Sequence, residues 1–448
     1  MHQEDATGGH DPYTALRGRD FRLFLSGNVL ANLGMQMQNA AVGWEIYDRT
    51  GQPWALGAVG LAEFLPVVAF TLIAGQAADR FNRRLVAAVG LTVMAAGSLG
   101  LAAVSLSRGP ILLVYALLIL VGAARAFTTP AKAALMPQIV PRERFSNAVT
   151  WNSGGFQVAS IAGPALGGWL IYLLGKAAMV YMLVALADLV FVVLLSLLCY
   201  RPTPPPNEPV TLRSLFAGVG FLWNSPVVLG AMTLDMFAVL LGGATTLLPI
   251  YAKDILHVGP DGFGWLRASP ALGALAMAFL LAHRPPMRKA GRAMLWAVAG
   301  FGVATIAFGL SRWFWLSMTM LALTGALDTI SVVVRHTLIQ LLTPDSMRGR
   351  VSAVNSMFIG ASNELGGAES GFVAALFTPT ISVVAGGIGT ILVVITVAVT
   401  WPQLRRYGRL GSDEPAPAFP IPKPPREPAS PQSDQQREHD AALRKTAE

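Results

Sequence analysis

The chain has 448 residues, of which 53% are hydrophobic and only 13% are charged, and its formal net charge is +8. Soluble domains carry about 25% charged residues, so a chain of this length and composition cannot cover a globular surface and needs lipid as its main solvent. The single cysteine, Cys199, excludes an internal disulfide framework and a cysteine-rich metal site.

Apolar stretches long enough to cross a bilayer as helices recur along the whole chain. They predict twelve membrane-spanning helices over residues 21–46, 54–78, 84–106, 109–133, 148–173, 177–199, 226–252, 261–283, 291–311, 313–336, 348–376 and 381–401. The sequence therefore predicts an all-α integral membrane protein with six spans before residue 200 and six after residue 225.

The segments outside the spans are polar. Residues 1–20 form an amino-terminal arm without the basic start and cleavage site of a secretory signal peptide. Residues 200–225 join a stiff proline-rich linker to a helix predicted over residues 212–223 at the membrane surface. Residues 402–448 are rich in proline and charge, so we predict a disordered tail. The two six-helix units then cover residues 21–199 and 226–401.

Basic residues are distributed unequally between the two sets of loops. The arm and the loops that join an even-numbered span to the next odd-numbered one hold Arg17, Arg19, Arg22, Arg80, Arg83, Arg84, Lys132, Arg142, Arg144, Arg201, Arg213, Arg284, Arg288, Lys289, Arg292, Arg335, Arg348 and Arg350. The other loops hold only Arg49, Arg108, Lys176, Lys253 and Arg312. Because short cytoplasmic loops are enriched in Lys and Arg, we predict an inner (plasma) membrane protein whose arm, linker and tail are cytoplasmic. The positive charge then needs no nucleic-acid partner.

The loop after the second span carries a recognisable pattern. It reads Gly-Gln-Ala-Ala-Asp-Arg-Phe-Asn-Arg-Arg and contains Gly75, Asp79, Arg80, Arg83 and Arg84. It matches G-x-x-x-D-R-x-x-R-R, and the chain resembles the major facilitator superfamily of transporters. The resemblance implies two pseudo-symmetric six-helix halves with a cavity between them. It also implies that Asp79 latches the halves together on the cytoplasmic side in the outward-open state, with local pairing to Arg80 or Arg83 as the alternative.

An internal duplication supports that architecture. A shift of about 203 residues brings together Pro141 and Pro344, Asn152 and Asn355, Gly163 and Gly366, and Gly168 and Gly371. The ordered run indicates that the second half repeats the first, as expected for transporters built from repeats.

The fifth span contains Gly163, Pro164, Gly167 and Gly168. Small residues allow a neighbouring helix to approach, and proline frees a backbone carbonyl. The string is similar to the core G-P-x-x-G-G of the antiporter motif of drug exporters, although two upstream glycines of that motif are absent. It predicts a hinge associated with export, or else plain helix packing.

Two further stretches narrow the resemblance. Ala-Lys-Ala-Ala-Leu-Met-Pro-Gln-Ile-Val-Pro-Arg-Glu-Arg (residues 131–144) and Thr-Pro-Asp-Ser-Met-Arg-Gly-Arg-Val-Ser-Ala-Val-Asn (residues 343–355) resemble the enterobactin-exporter and macrolide-efflux branch. This implies a secondary transporter that exports a small amphipathic molecule, siderophore-like or drug-like, by alternating access with protons as the coupling ion. An importer or a lipid flippase on the same fold is the alternative, and a membrane enzyme or receptor is disfavoured because no catalytic motif is found. We expect a monomer without enzymatic activity, cofactor or metal.

Ionisable side chains inside the spans are the remaining candidates, because a charge in lipid is costly unless it is paired or hydrated. They are Glu63, Arg125, Asp188, Asp235, Arg267, Asp328, Arg335, Glu364 and Glu369. Glu63 and Arg267 are expected near the outer interface, and Asp188 is expected to face another helix.

Four of these residues are predicted to line the pathway of substrate or protons. Arg125 and Asp328 occupy equivalent positions in the two halves, and a structural ion pair between them is the alternative. Asp235 lies in a span that lines the cavity in the resembled family. Glu364 lies in the eleventh span close to two glycines, where a carboxylate could bind and release a proton.

Overall fold

A computed structural model describes residues 12–199, 220–223, 225–285, 287 and 289–408, and there the chain forms twelve long helices. They are α1 Arg19–Thr50, α2 Pro53–Arg80, α3 Arg83–Ser107, α4 Ile111–Ile139, α5 Phe145–Leu174, α6 Ala178–Ser196, α7 Pro226–Leu241, α8 Gly259–Ala282, α9 Ala290–Leu310, α10 Phe314–Leu342, α11 Asp345–Leu376 and α12 Pro379–Thr400. Within the described residues, ten helical segments are long and apolar enough to cross a membrane. These do not include α1 and α11, which carry more polar and charged residues.

Helix boundaries differ from the sequence prediction at functionally important positions. α4 continues to Ile139 and α10 to Leu342, each more than a turn beyond the predicted end. Lys132 and Arg335, which were counted with the loops although the predicted spans 109–133 and 313–336 contain them, lie well inside these helices, and this corrects the count of loop charges. The seventh span is also interrupted: α7 ends at Leu241, and the chain continues through the short turns Ala244–Leu247, Leu248–Ile250 and Tyr251–Ile255.

The terminal segments are partly ordered. The predicted disordered tail is wrong for its first residues, since Pro402–Arg406 forms a short helix whose Leu404 is fully buried against α9. In the arm, the amide of Ala15 donates to Asn147 of α5 at 3.0 Å. Residues 1–11, 200–219 and 409–448 lie outside the described residues, and with them most of the predicted linker, interfacial helix and tail.

Helix packing repeats between the halves, which confirms the pseudo-symmetric six-helix architecture. In the first half α1 packs on α5 and α6, α4 packs on α2 and α3, and α3 packs on α6. In the second half α7 packs on α11 and α12, α10 packs on α8 and α9, and α9 packs on α12. Each contact of one half therefore has its counterpart six helices later.

The halves touch mainly where α5 packs on α8 and where α2 packs on α11. Gly168 of α5 lies so close to α8 that a Cβ on it would come within 2.9 Å of the Cα of Gly264. Its counterpart Gly371 of α11 meets α2 in the same way, with a Cβ 2.9 Å from the Cα of Gly57. Glycine is needed at both positions, because a side chain would force the two halves apart.

Both glycine contacts lie at one membrane face, which we call the closed face. α5 and α11 end there, and α2 and α8 begin there. Polar contacts between the halves lie on the same side: Tyr47 donates to Asp254, and Lys253 Nζ lies 2.5 Å from Asp48 Oδ1. The opposite face, where α1 begins and α12 ends, is called the terminal face.

Replacing Gly168 by valine should open the closed face. Overpacking a tight contact costs about 1–3 kcal/mol, which shifts a two-state equilibrium by roughly 5- to 150-fold. Gly154 on the same helix has no atom within 4 Å of its Cβ position, so Gly154→Val is the matched control. Spin labels on cysteines at the exposed Lys176 and Arg312, in a Cys199→Ser background, should report longer distances across the closed face for Gly168→Val only. Identical distance distributions for the two variants would contradict this account of the contact.

Candidate functional site

A cavity of about 360 Å³ lies in the first half, between α1, α3, α4 and α5. Its lining runs from Arg125 near the middle of α4 to Met136 near the terminal face. Thr129, Ala133 and Phe156 line it and are exposed, so the cavity is open. Cavities of 300–1,000 Å³ commonly hold small molecules, and we call this one the amino-half cavity.

Lys132 contributes a positive charge to this cavity and is held by a short hydrogen-bond chain. Its Nζ donates to Asn28 Oδ1 at 3.0 Å, and Asn28 Nδ2 donates to Asn152 Oδ1 at 2.8 Å. The ammonium also lies 5.8 Å from the ring centroid of Phe191. The sequence analysis counted Lys132 with the loop charges although the predicted span 109–133 contains it, and so missed it as a cavity residue.

Arg125 connects the amino-half cavity with a group of buried charges. It lines the cavity and also a smaller one of about 10 Å³ behind it, which Glu63 and Asp188 line as well. Its Nη1 lies 3.7 Å from Glu63 Oε2. The Glu63 carboxylate also interacts electrostatically with Arg267, and Glu364 interacts with Glu63 and with both guanidinium groups. These four residues are called the charge cluster.

The charge cluster bridges the two halves. Glu63 and Arg125 belong to α2 and α4, whereas Arg267 and Glu364 belong to α8 and α11. The Glu364 carboxylate lies directly against α2, since a Cβ on Gly60 would come within 2.9 Å of Oε2. Each half therefore contributes one cation and one anion, and the cluster is electrically balanced while the halves touch.

Two residues of the charge cluster lie where the sequence analysis did not expect them. Glu63 and Arg267 were expected near the outer interface, but they lie in the interior on the two sides of the boundary between the halves, within electrostatic range of each other. Position along a span does not reveal which side of the helix faces protein, which is why the sequence analysis missed this pairing. Asp188 faces the protein interior as expected, because it is only 2% exposed and lines the small cavity behind Arg125.

Asp235 and Asp328 lie elsewhere, inside the second half. Asp235 is ion-paired with Arg335, and both side chains are almost fully buried. Ser331 Oγ also donates to Asp235 Oδ1 at 3.2 Å. Asp328 and Asp235 line a separate cavity of about 10 Å³. Of the four predicted pathway residues, Arg125 and Glu364 therefore share the charge cluster, whereas Asp235 and Asp328 do not join it.

The glycine string of α5 serves two contacts. Gly163 and Gly167 pack against Gln36 and Met37 of α1 in the same half, while Gly168 packs against α8 of the other half. Pro164 is buried between these glycines. The string therefore lies where a movement of the halves would begin, and its role as a hinge stays a prediction.

The loop-signature arginines bind helix ends within the first half. Arg83 Nη1 donates to the carbonyl of Ala134 in α4 at 3.2 Å, and Arg84 Nη1 donates to the carbonyl of Leu198 beyond α6 at 3.0 Å.

The other members of the signature lie at the end of α2. Gly75 has open space around its Cβ position, and Arg80 is exposed. The side chain of Asp79 lies outside the part of the chain that the structure describes, so the latch stays a prediction.

The chain is similar to known proteins in its sequence and in its fold. A family model described as transmembrane secretion effector matches residues 10–422. The enterobactin exporter EntS of Shigella boydii serotype 18 is 28% identical over 394 residues, which cover 86% of this chain and 93% of the relative. The enterobactin exporter EntS of Escherichia coli O1:K1 has the same identity and coverage.

Solved structures share the fold. A bacterial homologue of the human lysosomal transporter Spinster, in an inward-facing and unoccupied conformation, has a TM-score of 0.63 at 15% identity and covers 86% of this chain and 95% of its own. The nucleoside transporter NupG has a TM-score of 0.66 at 14% identity, with 85% and 100% covered.

The buried pair of the second half yields a stability prediction. Asp235→Asn should lower the free energy of unfolding by about 3–5 kcal/mol, because it leaves the Arg335 charge buried without its partner. Equilibrium unfolding of the purified protein in mixed micelles measures this loss. Asp328→Asn, which changes a neighbouring carboxyl outside the pair, is the control and should cost much less. Adding Arg335→Met to Asp235→Asn should recover part of the loss; equal losses for the two aspartate variants would count against the pair.

Proposed function

The chain belongs to the transmembrane secretion effector family, and from that membership we propose that it is a proton-coupled exporter of a small amphipathic molecule. It is a membrane transporter of the major facilitator type, related to an enterobactin exporter. The charge cluster is the observation on which proton coupling rests. The proposed cycle is alternating access, in which the closed face opens as the terminal face closes.

A proton can drive such a cycle only if one carboxylate meets different surroundings in the two states. Glu364 meets this condition. Its neighbours Glu63 and Arg125 belong to the other half, so opening of the closed face would separate α2 from α11 and remove both of them. Arg267 would stay with Glu364 in the second half. The free energy of protonating Glu364 therefore depends on whether the halves touch.

Arg125 supplies the link between the proton and the substrate. Its guanidinium faces the amino-half cavity on one side and Glu63 on the other. A ligand that draws Arg125 towards the cavity weakens its interaction with the cluster, and a proton taken up by the cluster releases Arg125 for the ligand. Proton uptake and ligand binding are thereby linked through one guanidinium.

Orientation follows from the loop charges. Even without Lys132 and Arg335, basic residues remain concentrated in the loops of the terminal face, so we assign that face to the cytoplasm. The arrangement described here is then the inward-open state, with the amino-half cavity open to the cytoplasm. We propose a monomeric transporter in the inner membrane.

The latch on Asp79 belongs to the opposite state of the cycle. Asp79→Asn should leave the protein folded and inserted but slow transport severalfold, because a charge near a helix start contributes about 0.3–2 kcal/mol. Initial rates in proteoliposomes, normalised to the amount of protein, measure this effect. Glu143→Gln removes an exposed acid from the same face and is the control. Equal rates for wild type and Asp79→Asn would remove the latch.

The main test of the proposed function uses everted membrane vesicles with enterobactin as the first substrate, chosen because relatives export it. With an acidic lumen, wild type should accumulate the compound inside the vesicles. Glu364→Gln should lose this response to the pH gradient and still allow downhill movement. Glu369→Gln, an exposed carboxylate on the same helix, should behave as wild type.

The outcomes of that test separate the alternatives. A full gradient response in Glu364→Gln would exclude this residue as the proton carrier. A wild type that ignores the gradient would exclude proton coupling. Movement in the opposite direction, driven by the same gradient, would favour an importer.

A further inference from the structure

The amino-half cavity presents positive charge only. Arg125 and Lys132 line it, and no carboxylate is among its lining residues. The nearby anions, Glu63 and Asp188, line the small cavity behind Arg125 instead. Because the anions are screened from the opening while the cations face it, the accessible field favours an anionic ligand.

The two cations lie on one face of one helix. They are separated by seven positions along α4, or two turns, which corresponds to about 10 Å. Lys132 has three donors, of which Asn28 takes one, and the others remain for further partners. Its other neighbours are the Phe191 ring and, at longer range, the buried Asp188 and Arg125. The ammonium is therefore oriented by the protein but not neutralised at the cavity surface.

The rest of the lining combines an apolar, adaptable part with the polar side chains of Asn28, Asn32, Thr128, Thr129 and Asn152. Met35, Met94 and Met136 supply flexible, polarisable side chains, and Phe24 and Phe156 supply aromatic rings. The apolar part suits a flat or aromatic body, and the amides and hydroxyls beside it can bind polar groups on that body. The cavity volume of about 360 Å³ limits the bound part to the size of a small molecule.

Among the described residues of the second half, the equivalent basic position is not presented to a cavity in this way. Arg335 occupies the position that corresponds to Lys132 under the 203-residue shift, but it is only 2% exposed and is paired with Asp235. The basic residue at this position is thus neutralised by Asp235 in the second half, whereas in the first half it faces a cavity.

We propose that the amino-half cavity binds an amphipathic organic anion, whose acidic group lies on Lys132 and whose aromatic body lies on the methionine and phenylalanine lining. This inference deepens the proposed transport function by naming the charge class of its substrate. Arg125 is the second contact, reached by ligands that carry another acidic group or extend further into the cavity. The cavity would then select a ligand that has a negative charge at one end and an apolar body at the other.

The test is equilibrium binding to the purified full-length protein in neutral detergent, measured by calorimetry. The probes are 2-naphthoate and its uncharged amide, which have nearly the same shape. Wild type should bind the anion roughly 10- to 100-fold more tightly than the amide, as expected for a charge-assisted contact. The preference should shrink as salt is raised.

Three variants identify the group responsible. Lys132→Met should abolish the preference for the anion and leave binding of the amide unchanged. Lys132→Arg should keep most of the preference, because the positive charge is retained. Lys176→Met removes an exposed lysine at the closed face and serves as the control for net charge.

Each outcome decides the matter. Equal binding of anion and amide by wild type, no detectable binding of the anion, or an unchanged preference in Lys132→Met would overturn the proposal. A loss of thermal stability in Lys132→Met with no change in selectivity would assign Lys132 a structural role only. Binding at equilibrium does not depend on the direction of transport or on the coupling ion, so failure of the proposed function and failure of this inference are distinguishable.

Discussion

The cost of holding a charge in a medium of low dielectric constant shapes this molecule more than any other constraint. A charged side chain far from water is tolerated only beside an opposite charge, a polar group or a hydrated cavity. Glu63 and Arg125 meet this requirement across two helices of one half, and Asp235 and Arg335 meet it in the other. The difference is that the first pair lies at the boundary between the halves, where Arg267 and Glu364 complete it. Contact between the halves therefore determines how many charges surround each of these carboxylates.

The contact between the two halves is of a kind that allows them to separate. At Gly168 and Gly371 the contact is made by backbone against backbone, and long side chains cross the boundary at other places, such as Trp44 against Phe263 with ring centroids 5.7 Å apart. Two smooth surfaces can part without many rotamer changes, and the polar contacts of Tyr47 and Lys253 can exchange their partners for water. A boundary of interdigitated leucines would hold more firmly and would separate less readily. The glycine contacts of the closed face thus fit each other specifically and still allow the two halves to separate.

Sequence reasoning recovered the features that depend on composition and repetition. Twelve helices, two equivalent halves and the alignment of Gly168 with Gly371 follow from apolar length and from internal similarity. It did not recover lateral orientation, which is why Glu63 and Arg267 were expected at an interface and not opposite each other. It also ended α4 at residue 133, whereas the helix continues to Ile139. A helix that lines a polar cavity loses the apolar signal by which spans are recognised, so functional helices are the ones that such reasoning truncates.

The duplicated basic position has a further consequence for the empty protein. In the second half, Arg335 is paired with Asp235 inside the protein. In the first half, the ammonium of Lys132 stands at a cavity wall without a counter-ion of its own at that surface. The first half is thus the less consolidated of the two whenever its cavity holds only solvent, and a bound anion would consolidate it by mass action. The salt in the buffer should therefore affect the stability of the purified protein outside its membrane. Organic anions would reversibly stabilise the first half and would leave the second half unaffected.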